Sequence, residues 1–275
     1  PAWETIPYEC VHPAEIIERQ RMAALCRLLD GRAPVTVTTV EALMRPVPPP
    51  ALLRRNETLF IPGEEYDFTG ISSLLTGFGY TREHRVEVCG QFSVKGSIID
   101  IFPPDRELPV RLDFFDNELE TIREFDPETQ ASRTTVESFV LVSRSELNLI
   151  PDGLHILQQK AEAAGKTLPD RLQNGGSHIF DTPPLGDFLS LLCDSVHLPD
   201  YLPQNVLIIC VEPAALISQK TRLLSTAETL YHRASRQHLV PAPDELLDST
   251  VFDHCLHQGL RMQVLTSSAG AIRPA

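Results

Sequence analysis

The residues best suited to binding a metal are His254, Cys255 and His257, in the sequence DHCLH. Imidazole nitrogens and thiolates are common zinc ligands, but a structural zinc site draws them from two spaced pairs. The chain has no CxxC pair and no second pair at the spacing of such a site. We therefore interpret DHCLH as the surface of a helix and predict no metal site.

Chemistry on nucleotides would need a phosphate-binding loop and acidic ligands for magnesium. The sequence has no GxxxxGK[ST] motif, and the apolar run VLIICV, where an NTPase would place its acidic pair, is followed only by Glu212 and Pro213. GxSxG and HExxH motifs are absent as well. Asp100, inside IIDIF, shares strand parity with apolar neighbours, so we interpret it as a buried structural carboxylate. The sequence predicts no catalytic residue and no cofactor in this chain.

The remaining candidate site is a surface, formed by the segment GQFSVKGSIIDIFPPDRELPVRLDFF (90–115). Two runs there alternate apolar and polar residues, the pattern of half-buried strands. Parity predicts one outward set on each strand: Gln91, Ser93 and Lys95 on the first, and Arg111, Asp113 and Phe115 on the second. Arginine and large aromatic residues on an exposed face are typical of protein–protein contacts. The open alternative is that Phe115 packs under the Asp116–Asn117 turn or against another domain.

Three regions must position these residues. Residues 56–143 carry closely spaced strand signals, around Val86 and at 91–95, 98–102, 109–115, 118–125 and 135–142, after a short helix at Phe68 to Leu75. Their connections are too short for crossovers, which predicts an antiparallel, mostly β domain. Residues 1–55 and 144–275 have an α/β texture of strands and helices. We therefore expect an α/β domain split in sequence by an inserted, mostly antiparallel β domain.

The flanking regions supply the remaining expectations. A helix is predicted from Pro13 to Leu29, with Ile16, Ile17, Ala24, Leu25 and Leu28 on one face and Gly31 just beyond its end. A strand is predicted in PVTVTTV, a domain boundary at the prolines of RPVPPP, and a strand buried on both faces from Val206 to Val211. Helices are expected near Leu154 to Ala164, from about Ala214 to Arg236 and at PAPDELL, with a last strand near Met262 to Leu265.

Composition limits the function classes. The 275 residues are 42% hydrophobic, with a formal net charge of -13, which opposes binding of nucleic acid through the phosphate backbone. Six scattered cysteines favour a reducing, cytoplasmic setting, and no apolar run is long enough to span a membrane. The chain begins at PAWETIPY without methionine and ends at AIRPA, so we expect it to be a fragment.

At this point the residues carry a resemblance. GQFSVKGSIIDIFPP and LPVRLDFFDNELETIREFDPETQAS are very similar to the domain that the bacterial excinuclease subunit UvrB shares with the transcription-repair coupling factors (Mfd). That family has G-x-F-x-x-R-G-x-x-x-D-I-F-P, then R-x-E/D-F-F-x-x-E-I-E and F-D-P-x-T-Q. PAWETIPYE and LPDYLPQNVLII extend the resemblance on both sides, and it weakens after about residue 214.

Two departures from the shared pattern favour the coupling factors. UvrB has D-E-S-H after its D-Y-L-P segment, where this sequence has Cys210 to Pro213. UvrB also has a tyrosine-rich DNA-gripping hairpin near its start, which WETIPYEC does not resemble. The alternative is a fragment of a UvrB-type damage-verifying helicase, and a third interpretation is a structural α/β protein whose Phe115 is covered.

The resemblance implies a function without catalysis in this chain. The chain would be the amino-terminal UvrB-like module of a coupling factor, a degenerate helicase-like domain with an inserted UvrA-binding domain. Family contacts to UvrA map onto Lys95, where the family has arginine, and onto Arg111 and Phe115. ATP, magnesium, double-stranded DNA and RNA polymerase would be bound by later domains, where an ATP-driven translocase displaces a stalled polymerase.

Overall fold

Alternating apolar residues between positions 91 and 125 form the central sheet of this computed structural model. The structure describes residues 1–3, 8, 15–150, 152–169 and 185–262. The sheet has six strands in the order β2 to β7: Thr81–Arg82, Gln91–Lys95, Ile98–Ile101, Val110–Phe115, Glu118–Phe125 and Ser132–Thr135. All neighbouring strands are antiparallel except β2 and β3. The predicted meander is confirmed.

The inner face of this sheet packs against helix α4 (Phe68–Gly77), which begins with an Asp67 side chain accepting from the Gly70 amide. Its core is aliphatic and aromatic, and comprises Ile71, Leu75, Phe92, Ile99, Ile101, Val110, Leu112, Phe114, Leu119 and Ile122, with others. A two-stranded antiparallel ribbon closes the region, because β1 (Thr58–Phe60) pairs with β8 (Phe139–Leu141). The chain thus enters and leaves the sheet region at adjacent strands.

Helices dominate the flanking regions. Before β1 lie α1 (Glu15–Leu29), α2 (Val40–Met44) and α3 (Pro50–Arg55). After β8 come α5 (Gly153–Ala163), α6 (Leu189–Leu192), α7 (Pro213–Ala234), α8 (Pro243–Leu246) and α9 (Ser249–Gln258). Short 3-10 helices occur at Glu146–Leu149, Leu185–Phe188 and Leu198–Tyr201. Two three-residue strands, β9 (Ile209–Val211) and β10 (Leu260–Met262), pair in parallel. The chain therefore mixes helices with mainly antiparallel sheet.

The two flanking regions share a core. Buried residues of α1 and α3 pack against residues that follow β8, in a cluster that includes Met22, Leu25, Leu28, Leu53, Leu149 and Tyr201. Val47 forms a β-bridge with Val196, and the Tyr201 hydroxyl donates to the Pro48 carbonyl over 2.6 Å. Segments that lie about 150 residues apart in sequence, such as Pro48 and Tyr201, are thus in direct contact.

Several sequence-based expectations are wrong. PVTVTTV forms no strand, and Val35 and Val37 are 80% and 90% exposed. The strand in VLIICV is shorter than expected and is not buried on both faces, because only Cys210 is buried while Ile209 and Val211 are half exposed. Ile16 is also exposed, whereas its neighbours on the predicted face, Ile17, Leu25 and Leu28, are buried.

Other differences concern the ends of elements. Val86 lies in no strand and is instead fully buried beneath the outer face of the sheet. The predicted strand at 135–142 is divided between β7 and β8, which belong to different sheets. The first residues of the predicted helix from Pro13 and the end of the predicted strand from Met262 lie outside the described residues. Among the described helices, none has both the length and the hydropathy that crossing a bilayer requires.

Candidate functional site

The candidate surface is the outer face of strands β3 to β6. Strand register places Lys95 opposite Ile98, and Ile98 opposite Asp113. In the next row, Ser93, Asp100, Arg111 and Arg123 lie side by side across the four strands. With strands about 4.8 Å apart and about 3.4 Å per residue, the Cα atoms of Lys95, Arg111 and Phe115 lie within about 14 Å of one another. The three predicted residues therefore share one face.

Phe115 ends strand β5 and projects from that face. Its neighbour Phe114 is 2% exposed and packs edge-on against Phe68 in the inner core, whereas Phe115 is 68% exposed. Period-two alternation along β5 sends the two rings to opposite sides of the sheet. The alternative that Phe115 is covered by its own turn is wrong for the described residues.

Arg111 is held on three sides. Its Nε and Nη2 donate to the two carboxylate oxygens of Asp100 over 2.7 and 2.9 Å, a bidentate ion pair between directly opposed residues. Its Nη1 donates to the Gln130 carbonyl over 3.3 Å, and its guanidinium carbon lies 4.5 Å from the centre of the Phe125 ring. The hydrogen bond to Asp100, opposed by desolvation, raises the pKa of Arg111 above its ordinary value.

The F-D-P-E-T-Q motif builds this support. Its Phe125 forms a small buried cluster with Val86 and Phe102 on the outer side of the sheet. Asp126 accepts from the amides of Glu128 and Thr129, and Gln130, in the left-handed region (φ 63°), donates from its side chain to the Val86 carbonyl. This turn therefore brings both the Phe125 ring and the Gln130 carbonyl to Arg111.

Lys95 differs from Arg111 in having an open environment. It ends β3, next to Gly96, whose positive φ of 61° closes the hairpin into β4. Lys95 is exposed, and no ion pair with it is found in the part of the chain that the structure describes. Arg123, by contrast, donates to Asp113 over 2.7 Å.

Sequence reasoning placed the residues on the correct face but misjudged their exposure. Ser93, predicted to face outward, lies in the outer row opposite Asp100 yet is 2% exposed. Asp100 is a buried, hydrogen-bonded structural carboxylate, as predicted. Its pairing with Arg111 was missed, because the segment between β4 and β5 does not reveal the register of the two strands.

The alternative sites gain no support. On α9, His254 and His257 are exposed, whereas Cys255 is buried beside Cys210, and burial raises its pKa. Among the described residues, no three His, Cys, Asp or Glu side chains converge as a metal site would require. Glu212 immediately precedes α7, and its backbone lies in the left-handed region (φ 54°).

Comparisons with known proteins found one matching family model and several similar relatives. Residues 60–147 match the family described as the UvrB interaction domain. The chain is 28% identical over 221 residues to the transcription-repair-coupling factor of Haemophilus influenzae, which covers 77% of this chain and 19% of the relative. It is 35% identical over 173 residues to that of Myxococcus xanthus (62% and 14%) and 28% identical over 240 residues to that of Bacillus subtilis (81% and 20%).

These matches confirm the resemblance predicted from the sequence. The chain spans at most about a fifth of the length of these relatives. The match to the UvrB interaction domain contains the six-stranded sheet, α4 and β8.

Proposed function

We propose, from the match of residues 60–147 to the UvrB interaction domain, that this chain is the UvrA-recruiting, non-catalytic amino-terminal module of a transcription-repair coupling factor. The observation that carries the proposal is Phe115, a large ring that is 68% exposed on the same sheet face as Arg111 and Lys95. Aromatic residues and arginine are enriched in the cores of protein–protein interfaces, whereas lysine is not. In this proposal, Phe115 anchors UvrA while Arg111 and Lys95 flank the anchor.

The domain organisation is part of the proposal. Residues 56–143 would be the inserted UvrA-binding domain, and residues 1–55 and 144–275 would form one degenerate helicase-like domain. The β1–β8 ribbon at the entry to the sheet supports the insertion. The contacts of Val47 with Val196 and of Pro48 with Tyr201 support a single flanking unit.

The longer protein's activities are also proposals. Its relatives are named transcription-repair-coupling factors, which links this chain to transcription-coupled nucleotide excision repair in the bacterial cytoplasm. An ATP- and magnesium-dependent motor that displaces RNA polymerase from double-stranded DNA would belong to other parts of such a protein. This chain would contribute recruitment, because its sequence offers neither a phosphate loop nor a pair of magnesium carboxylates.

Binding of purified UvrA to the 275-residue chain tests the proposal. Phe115→Ala should weaken binding by about 2 kcal/mol or more, the range of central anchor residues, without changing the melting temperature. Leu59→Ala is the matched control, because Leu59 is 49% exposed but lies on the β1–β8 ribbon. Wild-type chain that fails to bind UvrA, or Phe115→Ala chain that binds as tightly as wild type, would refute the proposed role.

A further inference from the structure

The charged residues on the outer face of β4 to β6 form two ion pairs. Arg111 and Arg123 are directly opposed on β5 and β6, an arrangement that is unfavourable for like charges. Each is compensated by its own carboxylate, Arg111 by Asp100 and Arg123 by Asp113. These four residues together carry no net charge.

A carboxylate from a partner would be poorly placed at Arg111. The Asp100 carboxylate already occupies the Nε and Nη2 edge of the guanidinium, at 2.7 and 2.9 Å. A second carboxylate there would lie beside the first, and like charges at that separation repel. The exposed remainder of Arg111 is small, since its side chain is only 17% exposed. A neutral acceptor, such as a backbone carbonyl, avoids this repulsion.

Lys95, unlike Arg111, can accept a carboxylate from a partner. It is exposed on β3, two strands from Arg111, and its ammonium group has no carboxylate partner in the described parts of the chain. A partner carboxylate there would gain a charge-assisted hydrogen bond without competing against a resident anion.

We infer that UvrA meets two chemically different cations on this face: Lys95 pairs with a partner carboxylate, whereas Arg111, fixed and neutralised by Asp100, donates to an uncharged acceptor. This inference rests on the proposed function, because it assigns roles within the same surface. Its consequence is that the ionic-strength dependence of binding resides at Lys95 and not at Arg111. Exposed pairs are screened by salt, whereas a contact between a neutralised group and a neutral acceptor is not.

The experiment measures binding of the whole chain to purified UvrA at about 50 mM and about 300 mM salt, where the screening length differs by more than twofold. Lys95→Met should weaken binding by about threefold to fivefold at low salt, the range of an exposed ion pair, and should flatten the salt dependence. Asp100→Asn/Arg111→Gln, which removes both charges but keeps a hydrogen-bonding pair, should weaken binding by the same factor at both salt concentrations. Arg55→Met changes the net charge as Lys95→Met does but lies at the end of α3, outside the sheet, so it should leave binding unchanged.

Different outcomes would contradict the roles of Lys95 and Arg111 and the binding of UvrA itself. Flattening of the salt dependence by Asp100→Asn/Arg111→Gln, or an unchanged salt dependence in Lys95→Met, would overturn the inference while leaving UvrA binding in place. Wild-type chain that binds UvrA at neither salt concentration would overturn the proposed function itself. If the polar double variant does not fold, Asp100→Leu/Arg111→Met replaces the pair by apolar residues of similar volume, and the same salt comparison applies.

Discussion

Arg21 and Glu146 form a buried ion pair between residues 125 positions apart in sequence. Arg21 on α1 donates from Nε and Nη2 to the two Glu146 oxygens over 2.6 and 3.2 Å, and the exposed fractions of the side chains are 5% and 2%. The guanidinium carbon also lies 4.3 Å from the centre of the Trp3 ring. Because Glu146 follows directly after the sheet region, this pair joins the chain before that region to the chain after it.

Breaking this pair on one side should destabilise the protein. Arg21→Met leaves the Glu146 carboxylate buried without its cation, which costs about 3–5 kcal/mol, whereas Arg21→Met/Glu146→Leu should recover most of the loss. Urea denaturation measures the free energy of unfolding. Arg32→Met is the control, because its pair with Asp30 is exposed and should contribute less than about 1 kcal/mol. Equal stability of Arg21→Met and Arg32→Met would contradict the prediction.

Arg111→Ala should also destabilise the chain, by about 3 kcal/mol, because it leaves Asp100 buried without its cation. The sequence alone placed Arg111 on the outward face of its strand, without the buried carboxylate that pairs with it. Thermal unfolding of Arg111→Ala and Phe115→Ala compares the two residues, and only the first should melt at a lower temperature. A loss of UvrA binding in Arg111→Ala could therefore reflect unfolding, so binding and melting temperature must be measured on the same variant.

The strands that the sequence predicted correctly pair with strands next to them in the chain. Strands β3 to β6 agree with the expected boundaries to within about one residue, because each alternating run has its hairpin neighbour next to it in sequence. Phe115 was assigned to the correct face by the same alternation. The roles of Lys95, Arg111 and Phe115 in binding UvrA stay a prediction.

The features that the sequence did not predict depend on contacts with other segments of the chain. PVTVTTV has the β-branched residues of a strand, but a strand needs a partner and a cover, and Val35 and Val37 have neither among the described residues. The contacts of Arg111 were missed for a related reason, since its partner Asp100 lies on a neighbouring strand and its other support, Gln130, comes from a turn beyond β6.

Asp105 should make the free energy of unfolding fall as pH rises, which is opposite to the usual effect of a carboxylate. Partial burial next to α1 raises the pKa of its carboxyl above its ordinary value, and its Oδ1 lacks a hydrogen-bond partner. The folded state therefore holds this proton more tightly than the unfolded state, so stability falls as pH rises from about 4 through the raised pKa. Asp105→Asn removes that titration, so its stability relative to wild type should increase between pH 4 and pH 7, measured by urea denaturation.

Asp126 supplies a control of opposite sign. Hydrogen bonds from the backbone, first that of Thr129, lower the pKa of Asp126. Its contribution to stability is present above the unfolded pKa and is lost as pH falls through the folded one. Asp126→Asn should therefore lose stability relative to wild type as pH rises, opposite to Asp105→Asn. The same sign for both variants would contradict the assignment.

Nucleotide binding should be absent from this chain. The strand β9 leads into Glu212 and Pro213, where a motor would need an acidic pair, and the sequence has no phosphate loop. Isothermal titration with ATP and magnesium should give no saturable signal at micromolar concentrations, and phosphate release should equal the blank. Saturable binding would instead favour the alternative of a UvrB-type helicase fragment.

The last prediction concerns Lys95, at a position where the resemblance to the family implies an arginine. Lysine has the charge and the reach, but not the planar fork that grips a carboxylate through two parallel hydrogen bonds. Because Lys95 is exposed, an arginine fits there without displacing a neighbour. Lys95→Arg should tighten UvrA binding by about 0.5–1.5 kcal/mol, one hydrogen bond, with an unchanged melting temperature. Arg55→Lys, the reverse exchange at the end of α3, is the control and should not change binding. If Lys95→Arg binds no more tightly than wild type, the facing surface of UvrA is matched to lysine, and the family's contact does not transfer to this position.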